Sequence, residues 1–230
     1  MESQSRRFPT VTVALVVLNI IVFAVECFWI TSNDYGWILS WSFVPANLTG
    51  SMQSFDVGSL ALAGSASLAA MFLHASLSHL VGNMLFLFLA GKAVEQRVGS
   101  LAYLLLYFGG GIAAFSVYVM SAPNSTIPCL GAGGAVATIF SAYLCLIASS
   151  SRYSGLGLLT RLAIIAFGIA WFVSQFIGIH DVVRGLVDSR IAYWAEVGGF
   201  LAGLGMSALI ALYQRHASRL EGMSSVQVGA

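Results

Sequence analysis

The sequence predicts an all-α membrane protein with six membrane-spanning helices and both termini in the cytoplasm. Of its 230 residues, 58% are apolar and only 8% are charged, whereas soluble domains are about one quarter charged. A soluble fold of this size could not cover its surface with so few charges, so the expected surrounding is the lipid bilayer. A net charge of +1 without a basic tract argues against a nucleic-acid partner.

The membrane helices are predicted from apolar segments of about 20 residues, the length that crosses a bilayer. Six segments reach or approach this length: 10–31, 67–91, 101–121, 131–149, 162–179 and 191–213. They define one membrane domain, 10–213, between a cytoplasmic N-terminus, 1–9, and a cytoplasmic tail, 214–230, whose last residues SSVQVGA are expected to fray. The protein is therefore expected to be a multi-pass membrane protein, of the plasma or inner membrane if it is bacterial.

The distribution of basic residues predicts the orientation, because cytoplasmic loops are enriched in Lys and Arg. With the N-terminus inside, only Arg184 and Arg190 fall outside. The other eight fall inside: Arg6, Arg7, Lys92, Arg97, Arg152, Arg161, Arg215 and Arg219. The outer segment 32–66 lacks Lys and Arg and is rich in aromatic residues, which is compatible with either a partly embedded loop or a flexible connector.

Polar residues within the predicted spans indicate where function resides. A charged group costs about 2.5–3.5 kcal/mol to insert at the centre of a membrane helix. His74 and His79 lie in the second span and Glu196 in the sixth, and Asn83 adds an amide four residues after His79. His79 and Asn83 share a helix face, whereas His74 would lie about 140° from His79. These side chains either pack by hydrogen bonds between helices or form a site. Glu26, near the outer end of the first span, is expected to be interfacial and without a role.

Small residues predict a close contact between the fourth and sixth spans. Gly199 and Gly203 are four residues apart, a spacing that lets two membrane helices approach closely. The fourth span follows the proline-containing segment APNSTIPC, which cannot be helical throughout, and opens with Gly131, Gly133 and Gly134. Contact between these faces would bring Glu196 near Gly133. Because an unpaired carboxylate in hydrocarbon is costly, we expect Glu196 to bond the free N–H groups opening the fourth span or to pair with His79.

Four motifs, in order along residues 67–210, carry a resemblance to a known family. His74, His79 and Asn83 form the pattern His-x4-His-x3-Asn, and Glu95-Gln-Arg-Val-Gly99 follows in the next loop. The segment CLGAGGAVATIFSAYL opens the fourth span, and YWAEVGGFLAGL lies in the sixth. Together they resemble the rhomboid intramembrane serine proteases. The resemblance implies a six-helix bundle and a lateral opening beside the fifth span, which here carries aromatic residues at Phe167, Trp171, Phe172 and Phe176.

The sequence departs from the family pattern at the two catalytic positions. The nucleophilic serine of the family falls on Gly133 and its general-base histidine on Glu196, so neither catalytic residue is retained. His79 and Asn83, with His74, match the residues that stabilise the substrate carbonyl oxygen in the family. Ser141 lies two turns beyond Gly133, too deep to replace the lost serine, and no physical argument pairs the Cys129 thiol with Glu196 as base.

The predicted function follows from this combination of a retained pocket and lost catalytic residues. An inactive rhomboid-like protein that binds transmembrane segments of other membrane proteins is the leading hypothesis. The alternative is an intramembrane serine endopeptidase with a variant active site. A metal or proton site made of His74, His79 and Glu196 is a third class, but the azimuth of His74 makes joint ligation awkward. No cofactor and no metal ion are expected.

Overall fold

The computed structural model describes residues 8–31, 35–149, 159, 162–163, 165–170, 173 and 193–228. Within them, eight helices of defined extent occur: α1 (Thr10–Thr31), α2 (Tyr35–Trp41), α3 (Pro45–Ser54), α4 (Val57–Ala70), α5 (Leu77–Val98), α6 (Ser100–Ser121), α7 (Gly133–Ser149) and α8 (Tyr193–Val228). Residues 165–170 are also helical. The described chain is thus helical, apart from connecting segments and one isolated bridge between Phe43 and Cys129.

Four of these helices are long and apolar enough to cross a bilayer: Thr10–Trp29, Leu77–Val98, Ser100–Ser121 and Tyr193–Gln214. The helices Val57–Ala70 and Gly133–Cys145 are apolar but shorter. In α7 every residue from 134 to 142 is buried, so protein surrounds much of this helix. A helix enclosed in this way can begin below the membrane surface.

The predicted second span, 67–91, is interrupted in the structure. Helix α4 ends at Ala70, a short irregular segment follows, and α5 begins at Leu77 with Ser76 as its N-cap. The carbonyl of Ala70 accepts a hydrogen bond from the backbone N–H of Gly131 at 2.8 Å. The apolar pattern did not reveal this break, because the group that satisfies the freed carbonyl lies far away in the sequence.

The segment 32–66, predicted to lie outside, is not a flexible connector over its described part, since residues 35–66 include α2, α3 and part of α4. This segment is tied to the loop 122–132 between α6 and α7. Phe43 and Cys129 exchange two backbone hydrogen bonds of 3.0 and 2.7 Å, and Ala46 donates to the carbonyl of Ser125 at 3.0 Å. The loop 122–132 is non-helical, as its prolines predict. The segment SSVQVGA was expected to fray, but α8 includes its first five residues and ends at Val228.

A buried carboxylate joins α1, α5 and α6 at the opposite end of α5 from Ser76. Glu95 is 4% exposed and accepts four hydrogen bonds. Two come from the backbone N–H groups of Val11 and Thr12 at the start of α1, and two from the hydroxyls of Thr12 and Ser100, all at 2.7–3.0 Å. The first turn of a helix has N–H groups without partners inside the helix. Glu95 supplies them with an acceptor.

Helices α7 and α8 form the most extensive helix pair of the described chain. A Cβ atom placed on Gly199 would overlap the carbonyl oxygen of Gly134, and one placed on Gly203 would overlap Ser141 and the backbone of Thr138. The Thr138 hydroxyl donates to the carbonyl of Gly199 at 2.7 Å. The two backbones therefore touch, as the spacing of small residues in α8 predicts.

We expect Gly199→Ala to destabilise the protein by at least about 2 kcal/mol, because the added methyl group would force α7 and α8 apart. Gly205→Ala is the matched control, since a Cβ at Gly205 meets nothing within 4 Å. The better helix propensity of alanine should leave its stability unchanged or raise it by up to about 1 kcal/mol. Reversible unfolding in detergent measures both variants. Equal stabilities of Gly199→Ala and Gly205→Ala would contradict the close contact of α7 and α8.

Candidate functional site

The candidate site lies where α5, α7 and α8 begin. His79 is in the first turn of α5, Gly133 opens α7, and Glu196 is the fourth residue of α8. All three line a cavity of about 630 Å³ whose other walls are mostly apolar. They also line a smaller compartment of about 220 Å³ between α5 and α7. The later turns of the same three helices meet again around a separate cavity, so the three helices run in the same direction.

Gly133 and Glu196 face each other across the cavity. A Cβ atom placed on Gly133 would lie 3.2 Å from Oε1 of Glu196 and 3.6 Å from its Cγ. A side chain at position 133 would therefore meet the carboxylate directly. The close contact between Gly134 and Gly199 fixes this pairing, because those residues lie next to Gly133 and one turn after Glu196.

The carboxylate of Glu196 has neither of the partners expected from the sequence. In the described part of the chain it makes no hydrogen bond with the N–H groups that open α7, and none with His79. It is half-buried and borders both compartments. Glu196 therefore does not replace the serine–histidine bond of the family as a link between the fourth and sixth spans.

His74 and Asn83 form a hydrogen-bonded pair that the helix-face argument did not predict. His74 is 2% exposed and lies in the irregular segment before α5, so its direction does not follow the azimuth of that helix. Its Nδ1 lies 3.2 Å from the carbonyl oxygen of Phe72 and donates to it, which leaves Nε2 to accept from Nδ2 of Asn83 at 3.1 Å. The His79 ring centroid lies 5.2 Å from that of His74. His74, His79 and Asn83 are therefore brought together.

Glu26 supports this polar group and was missed in the sequence. It is 1% exposed instead of interfacial, and both carboxylate oxygens lie 3.1 Å from the backbone N–H of His74, which donates to them. Glu26 thereby ties the irregular segment before α5 to α1. The one indication of this role in the sequence was the presence of a carboxylate in an otherwise apolar helix. Its partner could not be inferred, because the donor is a backbone group 48 residues away.

The two candidates for a relocated nucleophile are unsuited to that role in the structure. Ser141 is fully buried between α7 and α8, and its hydroxyl donates to the carbonyl of Thr138 at 3.0 Å. Cys129 lines the larger cavity. Burial, with the charge of Glu196 adding to it, raises the pKa of the Cys129 thiol to about 12. At neutral pH Cys129 is therefore a thiol and not the nucleophilic thiolate.

A three-residue metal site is not formed by the residues placed in the structure, where no group of three or more His, Cys, Asp or Glu side chains could hold an ion. For the set His74, His79 and Glu196 considered in the sequence analysis, the reason lies in His74. Its two ring nitrogens are engaged by the carbonyl of Phe72 and the amide of Asn83.

A cluster of three aromatic rings lies beside the smaller compartment, where the predicted fifth span approaches α5. Phe86 and Phe140 line the compartment, and their ring centroids are 5.4 Å apart in an edge-to-face arrangement. Phe167 stacks on Phe86 with centroids 6.0 Å apart and planes inclined by 11°. Of the other aromatic residues predicted for the fifth span, Trp171, Phe172 and Phe176 lie outside the described residues.

Gly131 accommodates the His79 ring. Its φ of 122° lies in the region that favours glycine, and a Cβ atom there would lie 2.6 Å from Cε1 of His79. Gly131→Ala therefore combines backbone strain of about 1–3 kcal/mol with displacement of the imidazole.

We expect Gly131→Ala to lower stability more than Gly99→Ala. Gly99 also has a positive φ, of 86°, but a Cβ there meets nothing within 4 Å, so this control carries strain alone. Unfolding of both variants in detergent provides the comparison. If Gly131→Ala lowers the free energy of unfolding no more than Gly99→Ala does, the His79 ring can move aside without loss of stability.

A comparison with protein families identifies the fold. Residues 65–213 match the family described as the Rhomboid domain, which is close to the segment 67–210 that carries the four motifs. The chain is 36% identical over 72 residues to Rhomboid-like protein 11, chloroplastic, of Arabidopsis thaliana, covering 31% of this chain and 25% of that protein.

A bacterial relative gives a similar result. The chain is 34% identical over 74 residues to the Putative rhomboid protease YdcA of Bacillus subtilis (strain 168), covering 32% of this chain and 37% of that protein. The aligned segments thus span only 25% and 37% of the lengths of these two curated relatives. The family match covers well over half of the chain, and with the long apolar helices it establishes a multi-pass integral membrane protein. The chain belongs to the rhomboid family.

Proposed function

We propose that this protein is a proteolytically inactive rhomboid that binds transmembrane segments of other membrane proteins. The position of Gly133 is the observation that supports the proposal. It faces Glu196 at the cavity, where the resemblance assigns the reacting serine, and it has no oxygen that could attack a carbonyl. Among the described residues, none places a hydroxyl opposite Glu196 at position 133 for it to activate.

The retained cavity supports a binding role in the absence of this chemistry. Its walls are mostly apolar, with Met71 and Phe115 among them, and His79 and Glu196 provide polar groups. Such a composition suits a hydrophobic segment that carries a few polar atoms. The Phe86–Phe167 stack lies between α5 and the predicted fifth span, so a client helix would approach the site there from the lipid.

The proposed topology has six spans with both termini in the cytoplasm. The common direction of α5, α7 and α8 supports it, because an even number of crossings must separate the starts of parallel helices. Helix α6 provides one return crossing between α5 and α7. A fifth span over 162–179 would provide the return between α7 and α8.

We expect a client helix to crosslink to the face of α5 next to the aromatic rings. A photoreactive amino acid at Leu85, which is 54% exposed beside Phe86, should capture single-span membrane proteins in intact membranes. Ile20, 49% exposed on α1, is the matched control position for contact with lipid-embedded neighbours in general. Crosslinks that are equal at the two positions, or absent at both, would oppose the proposal.

An intramembrane serine endopeptidase with a variant centre is the second candidate function. Two observations favour it: the bacterial relative carries the name of a putative rhomboid protease, and the pair His79 and Asn83, which matches the family's carbonyl-stabilising residues, still borders the smaller compartment. A Cβ at position 133 would lie within 4 Å of Glu196. A serine there would thus stand beside the residue at the family's base position.

We expect the double variant Gly133→Ser/Glu196→His to acquire reactivity that the wild type lacks. Its introduced serine should react with a fluorophosphonate probe and cleave a helix-destabilised transmembrane substrate, because nucleophile and base would again face each other. The wild type and each single variant are the controls. Labelling or cleavage by the wild type would overturn the proposed inactivity and support the second candidate.

A further inference from the structure

The carboxylate of Glu196 borders the cavity, and no cation from the described residues balances its charge. No Lys or Arg is among the described residues that line either compartment. His79 lines both compartments, but it packs against Gly131 and makes no hydrogen bond with Glu196. Ionisable residues inside membrane helices are costly and generally pair with an opposite charge or with backbone carbonyls. Glu196 is thus a half-buried acceptor whose partner the described residues do not supply.

The smaller compartment has the shape and chemistry to receive a basic side chain. Phe86 and Phe140 line the compartment with aromatic rings, a type of side chain that attracts cations. Glu196 lies in the same compartment, and Asn83 adds an amide oxygen as a second acceptor. A volume of about 220 Å³ accommodates one long side chain and not a whole helix. A lysine or arginine would lay its methylene groups along the rings and bring its charge to Glu196.

We propose that Glu196 is the counter-charge for a Lys or Arg carried by the client's transmembrane segment, seated in the smaller compartment. This inference rests on the proposed function and specifies which clients are selected. Glu196 is the fourth residue of α8, so at 1.5 Å per residue it lies about 5 Å below the start of the helix. The selected clients therefore carry their basic residue about one helical turn below the level at which α8 begins, on the side where α5 and α7 also begin.

The test uses the crosslinking position Leu85 and a set of matched model clients. Each client is a single apolar span that carries Lys, Leu or Glu at one position, moved along the turn nearest the cavity end. For the wild type we expect the Lys client at the best position to be captured about tenfold more than the Leu client, equivalent to about 1.4 kcal/mol. In Glu196→Gln, which preserves the shape of the side chain, this preference should disappear. In Glu196→Lys the preference should invert in favour of the Glu client.

The outcomes separate this inference from the proposed function. Capture of Lys and Leu clients in equal amounts by the wild type would overturn the inference and leave client binding intact. A preference for Lys that persists in Glu196→Gln would overturn the assignment to Glu196. Failure to capture any client above the Ile20 control would overturn the proposed function itself. Lys92→Gln, which removes a charge from an exposed position of α5 outside both compartments, controls for general charge effects and should keep the wild-type preference.

Discussion

The direct contact of the α7 and α8 backbones is the constraint on which the rest of the site depends. Membrane helices gain little from hydrophobic burial against each other, because lipid tails are as apolar as their side chains. Close packing and hydrogen bonds must therefore hold them together. Gly134 against Gly199 and the Thr138 hydroxyl on the Gly199 carbonyl provide both. Once these residues are in contact, the side chains of positions 133 and 196 have to face each other.

This constraint makes the shape of the site independent of the residues at positions 133 and 196. Neither Gly133 nor Glu196 holds the two helices together, since the glycines of the contact lie beside them in the sequence. A substitution at either position therefore changes what the cavity can do without changing where it is. The same separation explains why Glu196 need not make a structural bond, although its position in the bundle is fixed.

The polar groups around α5 are maintained by a different set of contacts. Glu26 accepts the backbone N–H of His74, and His74 accepts the amide of Asn83. This chain of hydrogen bonds leads from α1 through the break before α5 into the smaller compartment. Because an unsatisfied polar group is costly in a low-dielectric interior, each member holds the next in place. At the far end of α5, Glu95 anchors the start of α1 in a similar way. The helix that carries His79 and Asn83 is thus fixed to α1 at both ends.

The sequence by itself determined the membrane class, the two long helices α1 and α6 nearly to the residue, and the family. These follow from apolar length, motif order and residue identity, all of which are local properties of the chain. The tertiary structure alone decided the break between Ala70 and Leu77, the burial of Glu26, the bond between His74 and Asn83, and the absence of a described partner for Glu196. Each of these features depends on a group 9 to 61 residues away in the sequence or on another helix. A hydropathy pattern does not record which distant group will satisfy a free N–H or carbonyl.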